Sequence, residues 1–282
     1  MVRYLDEHHN APVTFVLYHG HWRTPLMHAA GDGRADMFRL LQQLGVEVDV
    51  GSSLSPRLGQ SPLSPLAEAV RGNHHEAAQI LVGPSHPIVR TRELVASVQE
   101  KNFPMAEMLL NNGTHPEFRQ EDVPEPEASL DGSLWLQPLL LAVINRDLAM
   151  IKLLLNKGAN PNVWCSYQPE PSPSVFCQHV IFWAVEYEPR WRHFQNPDHT
   201  EYFNHAMVRV LLEGDAKSNK FDMFGQTPLS YAIKAGHETV VKCLLDHGAN
   251  PNWAVNATGQ KLIFDLATKE SIRAMLEEAE TK

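Results

Sequence analysis

Residues 225–252 read GQTPLSYAIKAGHETVVKCLLDHGANPN, and almost every position in this stretch has a physical reading. Thr227 followed by Pro228 starts a helix: the hydroxyl accepts an orphan amide proton, and proline fits the first helical position. Leu229, Ala232 and Ile233 give that short helix one apolar edge, with alanine small enough for close packing. Gly236-His237 ends it, the glycine supplying the turn. Val240, Val241, Leu244 and Leu245 then form an i, i+1, i+4, i+5 stripe on a second helix. Gly248 stands where a helix closes on glycine, and Asn250-Pro251-Asn252 is turn chemistry leading onward. A helix pair this small cannot bury its apolar stripe alone, whereas stacked copies can.

The chain supplies the copies. Residues 136–162, LQPLLLAVINRDLAMIKLLLNKGANPN, align without a gap when Gln137 is set against Thr227. Residues 23–49, RTPLMHAAGDGRADMFRLLQQLGVEVD, put Thr24 in the same place. Ser64-Pro65-Leu66 opens another copy, with Asn73-His74 at the turn and Ile80-Leu81 in the second helix. A weaker one runs from Arg92 to Pro116, its frame held by Leu94, Met108, Leu109, Leu110 and Gly113. A further copy starts near His179 and finishes with Val210, Leu211 and Leu212. A truncated unit, Gln260 to Glu278, caps the stack with Lys269, Glu270, Arg273, Glu277 and Glu278 outward.

TPL, A, GH, VV, LL and GANPN in this order resemble the ankyrin repeat, and the resemblance covers most of the chain. It implies an all-α ankyrin-repeat solenoid of about six helix-turn-helix repeats with short β-hairpin connections and a C-terminal cap. The expectation is a single domain over 1–282, with repeats near 23–50, 63–89, 91–118, 136–163, 178–222 and 226–253, and the cap at 259–282. Irregular spacing requires insertions at 119–133 (acidic and proline-rich), 164–174 and 188–202. The last, EPRWRHFQNPDHTEY, separates the two helices of one repeat, where the family has a tight turn. A second departure concerns the histidine that follows TPL in the family and makes an inter-repeat hydrogen bond. Here its places are held by Met27, Leu140 and Ser230.

Composition narrows the function. Hydrophobic residues make up 43 % and charged residues 20 %, enough apolar material for a core. A net charge of -9 argues against sequence-independent nucleic-acid binding and against docking on an anionic membrane. Three cysteines, Cys165, Cys177 and Cys243, make no disulfide framework. Neither a secretory signal nor a long apolar span is visible. A reducing compartment, cytoplasmic or nuclear, is therefore expected.

Enzyme motifs are absent: there is no phosphate-cradling glycine loop, no G-x-S-x-G and no H-E-x-x-H. The expectation is a chain with no cofactor and no metal site. Cys165, Cys177 and His179 lack the close ligand pairs of structural zinc sites. His193 and His199 cluster with Asp198 around the third insertion, and with Tyr187 they are the residues fit for proton transfer. Aromatics crowd the same region. Trp191 and Phe194 alternate with Arg190, Arg192 and His193, the residue types that dominate protein interfaces. They serve either to recognise a partner or to pad the edge of the stack.

In the ankyrin family, partners meet the hairpin tips before TPL and the exposed end of the first helix. Carried onto this chain, the resemblance implies contact at His21, Arg23, Asp32, Arg71, Gln99, Glu100, Asn145, Glu186, Tyr187, Phe224, Gln226 and Lys234. With Trp191 and Phe194 added, the expected function is a protein–protein interaction module that binds along a concave repeat face and the 188–202 insertion. The alternative is an enzyme or small-molecule binder whose pocket lies between the repeat groove and the loops at 164–174 and 188–202.

Overall fold

Two of the helix starts read from the sequence, Ser64 and Thr227, are side-chain caps, whereas Gln137 makes no capping hydrogen bond. In the computed structural model, the Ser64 hydroxyl accepts the Ala67 amide proton at 3.0 Å, and Pro65 takes the first helical position. Asn102 and Asp147 accept the Met105 and Met150 amides in the same way. At Thr227 the cap is reciprocal: Thr227 Oγ1 accepts from the Ser230 amide, and Ser230 Oγ accepts from the Thr227 amide. Ser230 Oγ also donates to the Thr227 carbonyl at 2.7 Å. The residue that replaces the family's histidine thus closes its own helix end instead of reaching to a neighbouring repeat.

The structure describes residues 16–18, 21–23, 25–43, 64–118, 137–167, 176–185, 197–253, 267 and 269–280. The chain divides into two compact units, residues 1–128 and 129–282.

In the first unit, β1 (Val16–Tyr18) pairs antiparallel with β2 (His21–Arg23), Leu17 facing Trp22. Three helix pairs follow: α1 (Pro25–Gly31) with α2 (Ala35–Gln43), α3 (Pro65–Arg71) with α4 (His75–Val82), and α5 (Pro87–Gln99) with α6 (Phe103–Asn111). First helices stack on first helices, α1 on α3 on α5, and second helices on second, α2 on α4 on α6. Leu26, Phe38, Leu66, Leu81, Leu94, Met105 and Leu109 fill the space between the layers and are buried. That is the apolar stripe of each pair meeting its neighbour's, as period and spacing require.

The second unit repeats the scheme. Its pairs are α7 (Pro138–Ile144) with α8 (Leu148–Asn156), α9 (Val180–Val185) with α10 (Pro197–Glu213), and α11 (Pro228–Ala235) with α12 (Glu238–Asp246). A 3₁₀ turn, Pro251–Trp253, and α13 (Glu270–Glu280) follow, α13 packing on α12. Leu140, Leu154, Phe182, Leu211, Leu229, Leu244 and Leu276 are buried. Lys269, just before α13, donates to the Gly236 carbonyl at 2.8 Å and pairs with Glu238, fastening the last helix to the preceding pair.

The turns inside the other five helix pairs, that between α9 and α10 lying outside the described residues, each use a left-handed residue. Gly33 and Gly236 supply it at φ 66° and 70°, but Asn73, Lys101 and Arg146 adopt φ 54–56° without glycine's freedom. Each costs about 1–2 kcal/mol, offset by the packing that the turn permits.

Two stretches read as loops carry regular structure over part of their length. Residues 164–167 are not loop: β3 (Trp164–Tyr167) pairs antiparallel with β4 (Phe176–His179). Residues 197–202 are helical, lengthening α10 to 17 residues. Pro197 does not block this helix because it stands at its first position, where a missing N–H is harmless.

Candidate binding surface

The connectors between helix pairs of the second unit are built by one repeated device. Asn162 donates from Nδ2 to the Asp215 carbonyl and accepts the Lys217 amide at Oδ1, both at 2.8 Å. One repeat later Asn219 donates to the Gly248 carbonyl and accepts the Asn250 amide, both at 2.7 Å. Each asparagine satisfies two backbone groups of the next connector, so consecutive connectors are locked in register.

From this base rises a tight turn, 221–226. The Asp222 carboxylate accepts the amides of Phe224 (2.8 Å) and Gln226 (2.7 Å) through Oδ1, and the Tyr231 hydroxyl through Oδ2 at 2.6 Å. Gly225 takes the φ of 70° that closes the turn. Tyr231 on α11 is itself braced edge-on against buried Phe182, ring centroids 5.8 Å apart. The turn is therefore preorganised, and its tip has no choice but to face outward. Met223 is 69 % exposed and Phe224 72 %. At that exposure neither contributes to the core, and large apolar side chains left bare in a cluster mark interaction sites.

Among the described residues three further aromatics, Trp164, Phe221 and Trp253, are exposed. Phe221 stacks on Trp253 of the following connector at 5.8 Å, and Trp164 meets His179 edge-on at 4.9 Å across the β3–β4 hairpin. His179 Nδ1 bonds the Asn162 carbonyl, while burial and then Lys220 hold its pKa below the usual imidazole value, favouring the neutral ring. Lys234 donates to Gln226 Oε1 at 2.9 Å and lies 5.5 Å over the Tyr231 ring.

The structure brings Phe224, Gln226 and Lys234 together, as their positions in the repeat imply. Asp32, Gln99 and Glu100 are exposed in the first unit, and Arg71 is exposed while pairing with buried Glu68 at 2.9 Å. Asn145 is half-buried at the α7–α8 turn. His21 and Arg23 stand on β2, and Asp198 and His199 on α10. The side chains of these four lie outside the described residues. Glu186, Tyr187, Trp191, His193 and Phe194 lie wholly outside them, and with them most of the expected proton-transfer group and pocket. Cys165 and Cys177 stand on facing strands but not opposite each other, being paired with Gln178 and Ser166.

Met223, Phe221, Trp253, Trp164 and the supporting Asp222 and Tyr231 were not among the residues expected from the sequence. Asp222 two residues before Phe224 and three before Gly225 is a turn signal that would have found the tip. Nothing local marks Phe221 and Trp253 as a stack, since they come from different repeats.

Other groups have duller chemistry. Burial, then Asp246, pushes the Cys243 thiol up to about 11, leaving it protonated and inert. Among the described residues no three His, Cys, Asp or Glu side chains are grouped to hold a metal ion. None of the described helices is long and apolar enough to cross a membrane.

Comparison with known proteins places this geometry. A family model of ankyrin repeats in three copies matches residues 199–277, and an ankyrin-repeat model matches residues 137–165. The fold is similar to the ankyrin repeat domain of Bcl-3, described as a unique member of the IkappaB protein family. That likeness has a TM-score of 0.62 and 20 % identity, covering 90 % of this chain and 98 % of that one. The human ASB11 ankyrin repeat domain gives a TM-score of 0.51 at 22 % identity, covering 91 % of this chain and 98 % of that one. An ankyrin repeat domain from Acinetobacter baumannii AYE gives 0.54 at 16 %, covering 80 % and 98 %. A comparison with curated proteins finds no match.

Proposed function

From the premise that this chain is an ankyrin-repeat protein, we propose that it is an interaction module whose second unit grips a protein partner with the 221–226 turn and the adjoining edge of α11. Ankyrin repeats are in general protein–protein interaction modules. The observation that carries the finer reading is a rigid turn holding Met223 and Phe224 bare. Preorganisation lowers the entropic cost of binding, and aromatic anchors supply most interface energy. Trp191 and Phe194 of the 188–202 insertion are assigned to the same partner.

The experiment is capture from native extract by the full chain, comparing wild type with the double change Met223→Ala and Phe224→Ala. Proteins retained by the wild type and lost by the variant are the partners, and unfolding midpoints should agree. An identical set of captured proteins overturns the proposal. Trp191→Ala should weaken a partner identified in this way by about 2 kcal/mol, the scale of interface hot spots.

A further inference from the structure

Resting on that reading, we propose that the surface around the 221–226 turn selects a peptide segment in which a large apolar side chain is flanked by carboxylates. The whole chain is acidic, with 33 Asp and Glu against 24 Lys and Arg. The stretch AKSNKFDMFGQTPLSYAIKAG, 216–236, reverses that balance with Lys217, Lys220 and Lys234 against Asp222. Asp222 does not oppose an acidic ligand from the surface: it is buried, and its two oxygens accept three hydrogen bonds from within the turn.

The lysines are differently placed. Among the described residues none of the three is in an ion pair, whereas Arg39, Arg71, Arg209 and Lys269 each hold a carboxylate. Lys234 is bound to the neutral Gln226 amide and the face of Tyr231, which fixes its position and leaves its charge uncompensated. Lys220 immediately precedes the Phe221–Trp253 stack, and its charge is felt at His179, the ring that meets Trp164. Uncompensated cations therefore alternate with exposed apolar side chains. The complement is an apolar side chain seated against Met223, Phe224 or the Phe221–Trp253 stack, with carboxylates reaching the ammonium groups on either side. A nucleic acid would meet the same lysines and rings, but three cations on a chain of net charge -9 are few for a phosphate backbone.

The test is selection of random displayed peptides on the full chain, followed by synthesis of the enriched sequences and titration. A 12-nucleotide single-stranded RNA is titrated in parallel. The expected enrichment is Leu, Phe or Trp within a few residues of Asp or Glu. Lys220→Glu with Lys234→Glu should weaken those peptides by about tenfold or more, and the same variant should enrich Lys- and Arg-flanked peptides instead. Circular dichroism of the variants should match the wild type. Peptides lost on Phe224→Ala but showing no acidic preference overturn this inference while leaving the surface itself standing. Peptides indifferent to Phe224→Ala overturn both the surface and the inference. An absence of enrichment, or RNA bound more tightly than any peptide, also overturns the inference.

Discussion

The two units use the same helix pair and differ in what they do with the positions that packing leaves free. In the first, the described residues leave no large hydrophobic side chain exposed, and two carboxyls, Glu68 and Glu93, are buried on the stacked helices α3 and α5. In the second, Trp164, Phe221, Met223, Phe224 and Trp253 are exposed on the connectors, and the buried carboxylate, Asp222, sits inside a turn that satisfies it. Burial pushes the Glu93 carboxyl up to about 7, against the opposing influence of Arg71 and Arg92, with Glu68 and Glu100 adding to the rise. The repeat frame dictates the apolar stripes and little else. One unit buries a carboxyl, Glu93, at a cost to its charged form, and the other leaves the apolar tip Met223 and Phe224 bare.

If the stripes are equivalent in the two units, Leu94→Ala and Leu244→Ala should each cost about 2–5 kcal/mol, because both side chains are fully buried between neighbouring repeats. Chemical denaturation would check this. A large cost in one unit and none in the other would break the comparison at its base.

Glu93 gives a pH test that belongs to the first unit alone. Its folded pKa is raised, so the folded chain holds a proton that the unfolded chain releases between about 4.5 and 7. Stability from this group is therefore present at low pH, falls as pH rises through about 7, and is flat above. Glu93→Gln should remove that fall. Relative to wild type, the variant should gain about 2–3 kcal/mol on going from pH 5 to pH 8, most of the full shift. Parallel stability–pH curves for the two proteins would show that Glu93 is not strained.

In the second unit Asp222→Ala removes three accepted hydrogen bonds at once and should cost about 2 kcal/mol. More telling is its effect on partner affinity, which should fall although residue 222 itself is buried. Unchanged affinity would mean that the turn need not be rigid to bind. Smallest of all, Lys234→Ala should change stability by about 0.5 kcal/mol or less, since its contacts are exposed, while lowering affinity for an acidic segment.

The sequence alone determined the helix pairs, their buried stripes and the caps at Ser64 and Thr227. Thr227-Pro228, the LL pairs and GANPN act within a few residues of one another, so local chemistry dictates the result. It also placed Phe224, Gln226 and Lys234 on one edge, because their spacing is fixed by a single turn and helix. What it did not reveal is the regular structure inside the stretches read as loops, where Trp164 begins a strand and Pro197 a helix. Proline permits either a stop or a start, and the neighbouring helices decide which. Only the tertiary structure could pair Phe221 with Trp253, bring the charge of Lys220 to bear on His179, or bury Glu93 within the influence of Arg71 and Glu68. Those contacts join different repeats, and their distances are set by how the repeats stack rather than by any spacing along the chain.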